Sequence, residues 1–128
     1  MHLLNFSHPF SFEQLKDIAR ICNVNPSAID VTICPVQIDM SKPLAPQIQA
    51  IVDAIKLTPE QWQREVIIIN PPALSQAALT VIAELHGRIG HYPMMVRIVA
   101  SHDGTATTFD VAEVINLDNI RMHARTAR

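Results

Sequence analysis

The chain reads as an open α/β sheet, mostly parallel, with helices on both faces, and three observations predict this. Five strand-like apolar runs alternate with segments of helical periodicity. VIII, residues 66 to 69, is apolar on both faces, as a central parallel strand covered by helices requires. Pro35 lies in the run IDVTICPV, residues 29 to 36, and proline belongs on an edge strand. Right-handed crossovers with the second strand at the edge give the order 2-1-3, with later strands beyond. In such a sheet the topological switch lies between strands one and three, and ligands bind outside the carboxyl ends of the strands there.

LLNF is the first strand, stopped by Ser7, His8 and Pro9. Ser11 stands three residues before Gln14, a capping-box spacing, and Phe12, Leu15, Ile18, Ala19 and Cys22 then recur at helical intervals. In IDVTICPV, Ile29, Val31 and Ile33 alternate with Asp30 and Thr32. Leu44, Ile48, Ile51, Val52 and Ile55 form a second helical stripe, and Thr58-Pro59 opens a short further turn with Thr58 as cap. After VIII come Asn70-Pro71-Pro72, then the longest stripe, Leu74 to Ile89, which Gly87 and Gly90 are placed to end. VRIVA (96 to 100) and FDVAEVINL (109 to 117) are strands joined by SHDGTATT, either a hairpin or a mobile loop. The basic tail from Asp118 reads as a terminal helix or frayed end, with a ligand-closing arm as the alternative.

With 128 residues, the chain fits one domain, 1–128, able to bury a core without staples. A net charge of -2 excludes the basic footprint of a duplex nucleic-acid binder. Hydrophobic content of 48% against 17% charged exceeds what one small core needs, and a buried homo-oligomer interface is the simplest outlet. The N-terminus lacks the pattern of a signal peptide and no run approaches a membrane span, so a cytosolic protein is expected. Cys22 and Cys34 have no CxxC spacing and read as reduced, packed thiols.

Ser7 and His8 fall where the topology leaves a crevice. They lack the glycines of a nucleophile elbow, so the competing roles are turn and cap, or ligand contact. The start of the first helix beside them favours an anion. Asn70 is either a helix cap or an amide held rigidly by Pro71 and Pro72 at the crevice mouth, where it reads a base edge or a ribose. Arg88, between Gly87 and Gly90, is the cation expected to reach phosphate. His86 and His91 have no acidic partner at zinc-site spacing, so no metal is expected. Three glycines in all leave neither GxGxxG nor a Walker loop, and no cofactor bound by those devices is expected.

LLNFSHPFSFEQL, DMSKPLAPQIQAIVDAI, LTPEQWQ, IIINPPALSQAA and ELHGRIGHYP together resemble the small Csx-type ancillary proteins of type III CRISPR systems, along the whole chain. The resemblance implies a Rossmann-like domain related to the CARF sensors, a homodimer, and binding of cyclic oligoadenylate, most often cyclic tetra-adenylate. Some relatives are ring nucleases that cut this messenger and others only hold it. Carried onto this chain, Ser7 and His8 contact ribose or phosphate, Asn70 with Pro71 and Pro72 fixes a nucleotide, and Arg88 neutralises phosphate. Ring opening needs no metal when the ribose 2'-OH is held in line with the adjacent phosphate. His8 is the one titratable candidate for proton transfer, and paired carboxylates are missing, so sequestration is expected ahead of slow cleavage. The competing readings are a dimeric interaction module with no nucleotide ligand and a hydrolase of an unrelated small nucleotide.

Overall fold

The computed structural model describes residues 1–128. Its five-stranded sheet is built from β1 (His2–Asn5), β2 (Asp30–Ile33), β3 (Ile67–Asn70), β4 (Met94–Asp103) and β5 (Ala106–Asn116). The order is β2-β1-β3-β4-β5, with β2, β1, β3 and β4 parallel and β5 antiparallel to β4. The expected 2-1-3 arrangement with β2 at the edge is what forms. The helices are α1 (Phe12–Ile21), α2 (Leu44–Asp53), α3 (Pro59–Arg64), α4 (Ser75–Ile89) and α5 (Leu117–Arg125).

The strand alternation splits the core in two. Leu4, Ile67 and Ile69 face the larger cluster, where α2, α3 and α4 contribute Ile48, Val52, Trp62, Val81 and Leu85. Leu3, Ile68 and Val96 face the other way and meet Ile18 of α1. β1 and β3 are buried on both faces because the crossover helices cover both.

Local chemistry sets the helix ends. Ser11 and Gln14 form the expected capping box of α1, and Thr58 with Gln61 forms another at α3, with Pro59 in its first turn. Gly90, at φ 88°, ends α4 in the left-handed region that glycine tolerates. Gly87 does not end the helix: it lies inside α4, whose hydrogen-bonded turns continue to Ile89. SHDGTATT is part of a hairpin turning at Gly104, with β4 and β5 longer than the apolar runs because residues 101 to 103 also pair with 106 to 108. The tail forms α5, with Asn116 as its cap. No helix is long and apolar enough to cross a membrane. Both cysteines are free thiols; Cys34 is buried just beyond β2, and burial pushes it up to about 11.

Candidate functional site

β1 and β3 end side by side, with Asn5 and Asn70 as register partners on their last residues. Beyond them the chain opens a cavity of about 690 Å³, within the range of small-molecule sites. Ser7, His8 and Pro9 from the β1 turn and Asn70 to Ala73 from the β3 turn form one side. The other side is β4. Pairing of β3 with β4 stops at Ile69 and Met95, so β4 overhangs its neighbour. Four consecutive residues, Met95 to Ile98, line the cavity. Consecutive side chains alternate faces, so the strand's free edge borders the space and offers backbone donors and acceptors to it. Gln14 of α1 and Phe109 of β5 complete the lining, and no Asp or Glu is among the lining residues.

The turn after β1 is organised by Asn5. Its Oδ1 accepts from the Ser7 backbone N–H at 3.0 Å, and its Nδ2 donates to the His8 carbonyl at 2.8 Å. Ser7 and His8 therefore close a turn and also line the cavity. They do not cap α1, since Ser11 does. The Ser11 side chain also takes the Gln14 N–H, and Glu13 lies in the first turn, so the start of α1 is a poorer anion site than its position implies.

Asn70 is not a helix cap. It is the last residue of β3, 7% exposed, and donates its Nδ2 to Asn5 Oδ1 at 2.9 Å. α4 starts five residues later behind Leu74, which supplies no side-chain cap. The first N–H groups of this 15-residue helix thus lack side-chain acceptors, and Ala73, just before it, lines the cavity. Such an end favours negative charge. Sequence reasoning missed this, since Leu74 reads as part of the helical stripe; a residue without a hydrogen-bonding side chain directly before Ser75 is the signal from which it is legible.

Arg88 does not join the cavity. The helix that continues through Gly87 carries it away from the strand ends, and its Nη2 pairs with Asp53 at 2.6 Å and Glu84 at 2.8 Å. Burial lowers its basicity, but those two carboxylates outweigh burial and hold it above the ordinary arginine value. The lining cation is Arg97, whose Nε donates to Glu113 at 2.8 Å across the hairpin. Sequence reasoning passed over it because it sits in an apolar strand run. Both groups of that ion pair are about half exposed, so the guanidinium exchanges partners at little cost.

His86 stacks on Tyr92 at 4.4 Å between ring centroids, and His91 lies beside the Tyr92 carbonyl. No group of three or more metal-ligating side chains converges anywhere. No protein-family model matches this chain, and no curated protein or solved structure matches it either.

Proposed function

We propose that this chain binds cyclic oligoadenylate, most often cyclic tetra-adenylate, and damps type III CRISPR signalling in the cytosol by sequestering it. One observation carries the reading: in a chain of net charge -2, the cavity at the topological switch has no carboxylate among its lining residues, and these include Arg97 and Ala73, two residues before the uncapped helix α4. That arrangement suits phosphate, while Phe109 and the proline-walled turn suit a base. Ser7, His8 and Asn70 keep the ligand contacts expected of them, and the phosphate role passes from Arg88 to Arg97. The likeness of the sequence segments to Csx-type proteins supports the same ligand.

Surface area, like the two-fold symmetry of the ring, supports a homodimer. A 14.2 kDa monomer exposes about 6,800 Å² on average. This chain exposes 8127 Å². No residue after Val96 is buried, although Phe109, Ile120 and Met122 are apolar. The surplus of roughly 1,300 Å² exceeds the ~800 Å² that one partner contributes to a standard interface. A second copy covers it.

Holding is favoured over cutting because His8 is the only histidine lining the cavity and no carboxylate stands beside it there to share acid–base work. The test incubates radiolabelled cyclic tetra-adenylate with limiting protein and excess chelator and resolves the products over time. Intact ring retained in a stoichiometric complex is the expected result. Multiple turnovers abolished by His8→Ala establish a ring nuclease, and failure to retain the ring removes the proposal in favour of an interaction module.

A further inference from the structure

Asn5 is buried at 1% exposure, and three hydrogen bonds determine its orientation. Amide oxygen and nitrogen are interchangeable in shape, so the partners must decide which is which. Here they do: one partner, the Ser7 N–H, can only donate, and another, the His8 carbonyl, can only accept. Oδ1 therefore faces Asn70, and Asn70 must answer with its nitrogen. The Asn70 side-chain oxygen, Oδ1, is then left without a partner in the chain. The only buried side-chain polar atom lacking a partner is His86 Nε2, so the Asn70 oxygen is open, and the residue lines the cavity.

We propose that Asn5 is a positioning residue that holds Asn70 with its carbonyl oxygen toward the cavity, making the site selective for adenine. The proposal rests on the nucleotide reading of this cavity. An asparagine presenting an oxygen and its second N–H matches the adenine edge, where the 6-amino group donates and N7 accepts. A base with a carbonyl at position 6 sets oxygen against oxygen. Without Asn5, the Asn70 amide can turn over and serve either base. Asn5 itself touches no ligand in this scheme. It acts only through the amide it orients.

The experiment compares cyclic tetra-adenylate with cyclic tetra-inosinate, the same ring with each 6-amino group replaced by a carbonyl, by equilibrium titration. Wild type is expected to prefer the adenine ring by at least about 10-fold. Asn5→Asp keeps an acceptor facing Asn70 and should keep most of that ratio. Asn5→Ala should bring it below about threefold, a change in selectivity that general loosening of the fold does not produce. Equal binding of both rings by wild type overturns the proposal and leaves the nucleotide reading standing. Retention of neither ring overturns that reading and this proposal with it. If Asn5→Ala does not fold, the wild-type ratio and Asn5→Asp still decide: an Asn5→Asp ratio collapsed to unity in a folded protein contradicts the orientation argument.

Discussion

Gln14 of α1 and Phe109 of β5, far apart in sequence, are joined by a 2.6 Å hydrogen bond from the Gln14 Nε2 to the Phe109 carbonyl. The same side chain accepts the Ser11 N–H through Oε1 at 2.8 Å, closing the capping box. One glutamine thus caps a helix and tethers the overhanging hairpin beside the cavity. Gln14→Ala should cost about 1 kcal/mol of stability and speed amide hydrogen exchange across residues 98 to 110. Unchanged exchange there would mean that the hairpin holds itself without the tether.

The two glycines of HGRIG have opposite roles. Gly87 lies within α4 with nothing within 4 Å of an added Cβ, so Gly87→Ala should stabilise by roughly 0.5–1 kcal/mol. Gly90 sits at φ 88°, and Gly90→Ala should destabilise by about 1 kcal/mol. Denaturant midpoints of the two variants should shift in opposite directions. A shift of both in the same direction would contradict the position of the helix end.

Arginine variants separate fold from site. Arg88→Ala removes a partly buried cation from Asp53 and Glu84 and should cost about 1–2 kcal/mol of stability while leaving ring affinity unchanged. Arg97→Ala should leave stability nearly intact and weaken ring binding by roughly 1.5 to 3 kcal/mol. Thermal melts and titrations on both variants give the answer, and the reverse pattern returns the phosphate role to Arg88.

Cys34 predicts an alkaline weakness. Burial raises its folded value from 9.0 to about 11, so the unfolded chain loses its proton first. Its contribution is whole below pH 9 and is lost progressively as pH rises toward 11. Cys34→Ala should flatten this part of the stability profile, measured by urea unfolding at stepped pH. At pH 8 the folded thiol should also resist alkylation, since roughly one in a thousand is thiolate.

The sheet order was legible because two local signals carry topological weight: Pro35 marks an edge, and the all-apolar VIII marks a centre. The capping boxes at Ser11 and Thr58 were legible because cap chemistry is local. Ser7, His8, Asn70, Pro71 and Pro72 come together at one cavity because strand ends follow from sheet order. Arg88 was misplaced because a glycine one turn before the true helix end resembles a terminator, and only long-range packing against Asp53 tells the two apart. Asn5 was passed over because its importance comes from a register partner 65 positions away. Arg97 and Phe109 entered the site through a hairpin overhang that depends on β3 being four residues long and β4 ten, a mismatch that apolar patterning does not encode.

In the proposed function, the cavity between the β1 turn, the β3 turn and the β4 edge holds a cyclic oligoadenylate across a two-fold pair of chains. Isothermal titration calorimetry with cyclic tetra-adenylate, on wild type and Arg97→Ala, tests it most directly. One ring bound per two chains is expected, with affinity reduced in the variant. Absence of binding heat at several temperatures, or binding that Arg97→Ala leaves unaltered, would contradict it.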